Sequence, residues 1–212
     1  MLLLGIDIGT SSIKVSVVDA QTQERIVSVS YPETETEIIS KQPGWAEQSP
    51  STWWEHTQQA ILKANATKKY NPIDIAAIGI SYQMHGLVVL DKNENVLRDS
   101  IIWCDSRAVE IGNQAFDAIG PSKSLQHLLN SPGNFTASKL AWVKQNEPAL
   151  YGQIDKIMLP GDYIALQLTG SATTSISALS EGVFWDFVKN ELSEDVFNHY
   201  GFSKSVIPEI RD

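Results

Sequence analysis

The chain opens with an apolar run that carries one carboxylate, Leu2-Leu3-Leu4-Gly5-Ile6-Asp7-Ile8, into a turn of small residues, Gly9-Thr10-Ser11-Ser12, and out again into a second β-type run ending at Asp19. Side chains alternate across a strand, so Leu2, Leu4, Ile6 and Ile8 share one face, and Leu3, Gly5, Asp7 and Gly9 share the other. An ionised carboxylate inside an apolar strand is costly unless something pairs with it. Asp7 stands between two glycines on its face, and the space they leave suits a ligand better than a packed core. The turn adds backbone N–H groups and three hydroxyls, a set that can cradle phosphate oxygens. A carboxylate beside a phosphate makes sense when Mg²⁺ lies between them, directly or through water. The same residues also make a plain hairpin with a solvated aspartate at its tip, and both readings stand at this point. The turn is not a Walker A loop, because the Gly-Lys-Ser/Thr ending is absent.

The length of 212 residues allows one large domain or two small ones. A hydrophobic content of 42% with 19% charged residues describes a soluble globular chain. The net charge of -9 argues against nucleic acid or an anionic membrane as a partner, while leaving local phosphate binding open. A lone cysteine, Cys104, fits a reducing, cytoplasmic compartment. The first residues carry no Lys or Arg and Asp7 interrupts the apolar start, so no signal peptide is expected. No apolar stretch is long enough to span a bilayer.

Periodicity and punctuation predict strands at 2–8, 12–19 and 25–31. Residues 32–48 are polar and turn-rich, with Pro43-Gly44 as punctuation. Ser49 is the expected N-cap of a helix with Pro50 at its first position and a stripe of Trp53, Thr57, Ala60, Ile61 and Ala64. Residues 73–81 read as a buried parallel strand. Shorter strands are expected at 86–90, 101–103, 173–177 and 183–188. Helices are expected from Asp105 or Ser106 towards 118, at 136–145, 149–154 and 160–168, and from Ser193 onwards. Early strands mixing with later helices argue α/β. No repeat, heptad series or interdomain linker is visible.

Several motifs then agree in order and spacing. Gly5-Ile6-Asp7-Ile8-Gly9-Thr10-Ser11-Ser12-Ile13-Lys14 resembles the N-terminal signature of the FGGY carbohydrate kinases. Pro43-Gly44-Trp45-Ala46-Glu47-Gln48-Ser49-Pro50 with Trp53-Trp54 resembles the next block of that family, and Gly79-Ile80-Ser81-Tyr82-Gln83-Met84-His85-Gly86 its sugar-contacting strand end. The Gln-Met-His-Gly form is the one associated with its xylulose kinases. Trp103-Cys104-Asp105-Ser106-Arg107, Phe135 to Trp142 and Leu159-Pro160-Gly161-Asp162-Tyr163 resemble later blocks.

The resemblance implies a ribonuclease H-like domain of the actin-like ATPase and hexokinase superfamily, with a mixed sheet flanked by helices. It implies ATP-dependent phosphorylation of a pentulose, D-xylulose to D-xylulose 5-phosphate, with ATP and Mg²⁺ as cofactors. Other members act on gluconate, ribulose, glycerol or another polyol. A non-catalytic sugar-binding or regulatory module of the same fold is a different class of outcome, and an actin- or Hsp70-like switch with a protein client is another. Asp7 is the implied organiser of Mg²⁺ around the transferring phosphate. Thr10 and Ser11 are implied donors to phosphate oxygens, and Lys14 either reaches the same anion or is a solvated strand lysine.

Gln83, Met84 and His85 are implied sugar contacts, placed where a strand ends. A neutral His85 offers one donor and one acceptor, and Met84 an adaptable apolar wall. Trp103 either presents a flat face to sugar C–H groups or packs in the core. Asp105 is either a helix N-cap or a sugar-hydroxyl acceptor, and Arg107 pairs with it or holds a neighbouring loop. Trp45 and Gln48 are weaker candidates.

Two departures from the family pattern stand out. Ser175 replaces a frequent Asp, and Glu181-Gly182 replaces a Gly-Thr type of turn. Family members are more than twice as long, with a catalytic Asp in a Gly-rich block and most nucleotide contacts in a second domain. The expectation is therefore a truncated N-terminal, sugar-binding domain across 1–212, a C-terminal domain of the same protein as its partner, the catalytic base beyond residue 212, and no turnover by this piece alone. A homodimer is compatible with the resemblance.

Overall fold

The structure is a computed structural model that describes residues 1–211. The chain runs through β1 (Leu2–Ile8), β2 (Ile13–Asp19), β3 (Arg25–Tyr31), β4 (Glu47–Gln48), α1 (Pro50–Ala66), β5 (Ile75–Tyr82), β6 (Val88–Leu90) and β7 (Ser100–Ile101). It continues through α2 (Val109–Ile119), α3 (Pro121–His127), α4 (Thr136–Asn146), α5 (Pro148–Tyr151), β8 (Lys156–Met158) and α6 (Pro160–Thr169). It closes with β9 (Thr173–Thr174), α7 (Ile176–Glu181), β10 (Trp185–Asp186), β11 (Glu191–Leu192), α8 (Glu194–Tyr200) and β12 (Glu209–Ile210). These elements form two compact units, one of residues 1–38 and 49–83 and one of residues 39–48 and 84–211.

The first unit is a four-stranded mixed sheet in the order β3-β2-β1-β5. β1 runs antiparallel to β2 and parallel to β5, and β2 runs antiparallel to β3. The alternation expected of β1 holds: Leu4, Ile6 and Ile8 are buried together with Ile13, Val15, Val17 and Val27. Helix α1 covers that face with Trp53, Thr57, Ala60 and Ala64. Burying each large apolar side chain contributes about 1.5–3 kcal/mol, so this one-sided layer holds the unit together. Pro50 opens α1 as expected; Ser49 takes the N-cap position with an extended backbone, but its side chain makes no capping bond.

The strand read as buried over 73–81 is corrected in both bounds and burial. Pro72–Asp74 form a 3₁₀ turn, with the Asn71 side chain accepting from the Ile73 N–H. β5 then lies at the edge of the sheet with Ala76 to Gly79 exposed. An apolar run is consistent with burial on both faces, but this strand has one strand neighbour and an open side.

In the second unit the core gathers Leu87, Val89, Ile101, Leu140, Val143, Phe184, Phe197 and Phe202. Antiparallel β6–β8 and β4–β7, and parallel β9–β12, are short ladders between helices. Ser193 caps α8 as expected, its hydroxyl accepting from the Val196 N–H. Other readings change. The strand expected at 173–177 stops at Thr174, because Ser175 becomes the N-cap of α7 and accepts from the Ala178 N–H. The strand expected at 183–188 shrinks to β10, which turns back to pair with β11. The helix expected from Asp105 or Ser106 begins at Val109, and α3 was not anticipated.

Candidate functional site

Each unit holds one cluster of the expected residues. In the first, β1 carries Asp7 out of the apolar layer onto the uncovered face of the sheet, opposite Lys14 on β2 and Ser81 on β5. The room left by glycine is real: Gly5 and Gly79 flank a groove of about 420 Å³ lined also by Ile6, Asp7, Lys14, Ser16, Ile80 and Ser81. Asp7 is exposed, not buried among apolar groups, so its charge keeps its hydration. The Ser81 hydroxyl donates to Asp7 Oδ1 at 3.0 Å.

Beyond Asp7 the turn lines a smaller space of about 280 Å³ with Gly9, Thr10, Ser11, Ser12 and Lys14. The Gly9 N–H turns inward and donates to the Ser12 carbonyl at 3.2 Å. A Cβ on Gly9 would stand 2.8 Å from that same oxygen, so the tight turn requires glycine there. Ser11 is exposed, and its carbonyl accepts from the Thr36 N–H. The Thr10 hydroxyl donates to Gln83 Oε1 at 3.1 Å. Gln83 is buried, and its N–H extends the β1–β5 ladder to the Ile8 carbonyl. Gln83 thus braces the turn in the first unit, a contact that its place beside Met84 in the sequence did not suggest.

In the second unit, Met84 and Trp103 are 53% and 49% exposed, open apolar surfaces instead of core. His85 has a backbone φ of 61°, the left-handed region that side chains with a Cβ enter at a cost. Three groups hold it there, two from α4 and its N-cap and one from the end of α7. Its N–H donates to Glu181 Oε1 on α7 at 2.7 Å. Its carbonyl accepts from Lys139 Nζ on α4 at 2.8 Å. Its ring meets Phe135 edge-on with centroids 4.2 Å apart. Gly86 follows because a Cβ would stand 2.6 Å from the ring of Pro160 at the start of α6.

The cluster's titrating groups are moved by burial. His85 is held down to about 4, first by burial and then by the Lys139 charge, with Glu181 opposing, so the imidazole is neutral near pH 7. Lys139 is fully buried, and burial lowers it to about 7 against the raising influence of Asp105, Cys104 and Glu181. Burial raises Asp162 on α6 to about 6, while hydrogen bonds from the Thr174 hydroxyl and the Leu159 N–H pull the other way and the Glu181 charge adds to the rise.

Asp105 is corrected. It is neither a helix N-cap, since Ala108 occupies that position, nor open to a substrate hydroxyl. Its carboxylate is fully buried. Oδ2 accepts from the Ala46 N–H at 2.6 Å and from Arg107 Nη2 at 2.6 Å, and Oδ1 accepts from the Arg107 N–H at 2.8 Å. Arg107 Nε reaches both oxygens, so the carboxylate's acceptor sites are taken. Arg107 continues to Glu47 Oε1 at 2.8 Å and lies over the Trp45 ring at 3.8 Å. Glu47 also pairs with Arg98 and Lys41. Trp45 therefore belongs to scaffold, and Gln48 is buried in β4.

Sequence reasoning missed Lys139 as a partner of His85 and registered Glu181 only as a departure. Lys139 lay inside a quoted motif, but a lysine's letter carries no sign that it is buried. Ser175 proves to be a capping residue, a role that serine and aspartate fill about equally well. Among the described residues no group of three or more His, Cys, Asp or Glu side chains gathers as a metal cage, and no helix is long and apolar enough to cross a membrane.

Comparison with known proteins bears on these clusters. Residues 2–212 match the N-terminal domain of the FGGY family of carbohydrate kinases. The xylulose kinase of Escherichia coli (strain K12) is 34% identical over 210 residues, covering 99% of this chain and 42% of that protein. The xylulose kinase of Bacillus subtilis (strain 168) is 32% identical over 213 residues, covering 98% of this chain and 41% of that protein. The crystal structure of xylulose kinase from Rhodospirillum rubrum superposes with a TM-score of 0.88 at 25% identity, over 100% of this chain and 43% of its own. The chain thus spans about two fifths of the length of the curated relatives it matches, and its α/β fold with a mixed sheet flanked by helices is that of the sugar kinases with an actin-like ATPase fold.

Proposed function

Starting from a chain that belongs to the FGGY family of carbohydrate kinases, we propose that it is the sugar-binding domain of an ATP-dependent kinase that converts D-xylulose to D-xylulose 5-phosphate. The observation that carries this reading is His85. A histidine held in a left-handed backbone and kept neutral follows an exposed methionine, and it offers the donor and acceptor that a polyhydroxylated, uncharged ligand needs. Met84 and Trp103 supply apolar surface for the sugar's C–H groups. A site that answers substrate hydroxyls one by one discriminates strongly against analogues that lack them.

On the same reading Asp7 serves the phosphate. Mg²⁺ is usually held by one or two carboxylates together with phosphate oxygens. A single exposed carboxylate in a roomy groove, with the hydroxyls of Ser11 and Ser81 on the same face or turn, fits that demand. When bound, Mg²⁺ supplies neutralisation of phosphate charge. Ser11 and Lys14 would meet phosphate oxygens, and Thr10 would hold the turn through Gln83, the bond on which its one hydroxyl proton is spent. The group that takes the hydroxyl proton, and a further domain of the same protein that completes nucleotide binding, belong to the proposal and lie outside this chain. A cytoplasmic setting accords with the single cysteine.

The test is a substrate panel. Sugar binding by the 212-residue chain, and phosphoryl transfer by the longer gene product, are measured for D-xylulose, D-ribulose, gluconate and glycerol. D-Xylulose should give the highest kcat/KM, and the 212-residue chain should bind it without turnover. In the longer product, Asp7→Asn should lower kcat about 10²-fold and move the sugar KM little, because the charge acts on the transferring group. Failure of the chain to bind any of these sugars overturns the reading.

A further inference from the structure

Glu181 occupies an unfavourable place for a carboxylate. It is the last residue of α7, where the helix dipole is negative. The end of that helix is closed tightly: the Val183 N–H donates to the Ser180 carbonyl at 3.0 Å and the Phe184 N–H to the Leu179 carbonyl at 2.8 Å. Val183 takes the left-handed position of this closure, φ 62°, where glycine is usual. Gly182, one residue earlier, is excluded from carrying a side chain by the Phe184 ring, 2.8 Å from where its Cβ would be. Glu181 is therefore fixed by the packing of a strained helix end.

What it is fixed against is His85. Glu181 Oε1 accepts the His85 backbone N–H at 2.7 Å, and the same oxygen lies 3.9 Å from His85 Nδ1. Nδ1 is shut off from solvent and makes no hydrogen bond, while 22% of the His85 side chain stays exposed. A buried ring nitrogen close to a carboxylate is best satisfied as an N–H aimed at that carboxylate. A neutral imidazole that carries its proton on Nδ1 has an acceptor at Nε2.

We propose that Glu181 is a positioning residue that holds His85 in the Nδ1–H form, leaving Nε2 as the acceptor for one substrate hydroxyl. Lys139 completes the arrangement from the other side by holding the His85 carbonyl, so the ring cannot rotate away with its backbone. The low affinity of His85 for a second proton keeps the ring neutral across neutral pH, so the choice lies between its two neutral forms. The tautomer follows from the geometry around His85 alone; that the hydroxyl belongs to D-xylulose rests on the function proposed above.

The 212-residue chain, labelled with ¹⁵N and ¹³C at histidine, tests it at pH 7 by long-range proton–nitrogen correlation. Wild-type His85 should show the Nδ1–H pattern. Glu181→Gln keeps an oxygen acceptor and should keep the pattern, whereas Glu181→Ala should release the ring towards Nε2–H. D-Xylulose affinity should fall about 3- to 10-fold in Glu181→Ala, the worth of one neutral hydrogen bond, and recover in Glu181→Gln. An Nε2–H pattern in the unsubstituted chain overturns the proposal with no variant needed, and so does a Glu181→Ala chain with an unchanged pattern. A tautomer that follows Glu181 in a chain that binds no sugar supports the positioning role and sinks the kinase reading instead. Sugar binding with a tautomer indifferent to Glu181 does the reverse.

Discussion

Around Asp7, one serine hydroxyl touches an exposed carboxylate in an open groove of about 420 Å³; around His85, a fully buried ammonium and a carboxylate grip one backbone unit from both sides. The contrast has a physical reason on the proposed function. A nucleotide brings its own charge and metal, so the protein need only offer a carboxylate and donors that water can reach until the ligand arrives. A sugar has no charge, and only the pattern of its hydroxyls marks it out. Its site must be set in advance, and rigid setting needs buried partners. The cost of presetting is carried by the scaffold: Asp105, Arg107 and Glu47 are all buried ions in the unit that holds His85.

The largest effect that would sharpen this comparison is on stability. Asp105→Ala leaves the Arg107 guanidinium buried with half of its neutralisation gone, and breaking such a pair costs about 3–5 kcal/mol. Asp7→Ala removes an exposed carboxylate and should leave the urea midpoint unchanged. Chemical denaturation of the two variants side by side checks both. Equal losses would mean that Asp7 is as deeply built into the scaffold as Asp105, and the contrast would fail.

A second effect, smaller and dependent on pH, separates Lys139 from its neighbours. Burial lowers Lys139 to about 7 in the folded chain against 10.5 when unfolded. Above pH 7 the unfolded chain therefore holds more protons at this position, and stability should rise with pH. The window is best kept between about pH 7 and 8.5, below the range in which Cys104, Tyr151 and Tyr200 titrate with the opposite sign. Lys139→Met removes the buried charge and should flatten the rise, as read from denaturation midpoints at several pH values. A rise that persists in Lys139→Met assigns it elsewhere.

The same contrast governs what could be read without coordinates. The alternation of β1 and the stripe of α1 are local, so Leu4, Ile6, Ile8, Trp53 and Ala60 announced their burial by spacing alone. The exposure of β5 is not local, because an apolar run cannot say how many neighbours its strand will have. The Asp7 turn was legible since its parts are contiguous. The His85 cluster was not, because its holders lie 54 and 96 residues away at Lys139 and Glu181. Asp105 was half legible: its pairing with Arg107 two residues on was among the alternatives, but the Ala46 N–H, 59 residues away, was beyond reach.

The smallest effect concerns Ser175, and it decides whether the departures from the family pattern near α7 are of one kind or two. Ser175 accepts from the Ala178 N–H at 3.1 Å and starts the helix that ends in Glu181. Ser175→Asp keeps the cap and adds negative charge at the favourable end of the helix, so stability and sugar affinity should change little. Ser175→Ala removes the cap and should cost about 1 kcal/mol with the His85 tautomer intact. Calorimetric midpoints and the histidine spectrum of the two variants read these outcomes. If Ser175→Asp instead displaced the tautomer, the charge at the start of α7 would act on the imidazole as the charge at its end does, and the setting of His85 would belong to the whole helix and not to Glu181 alone.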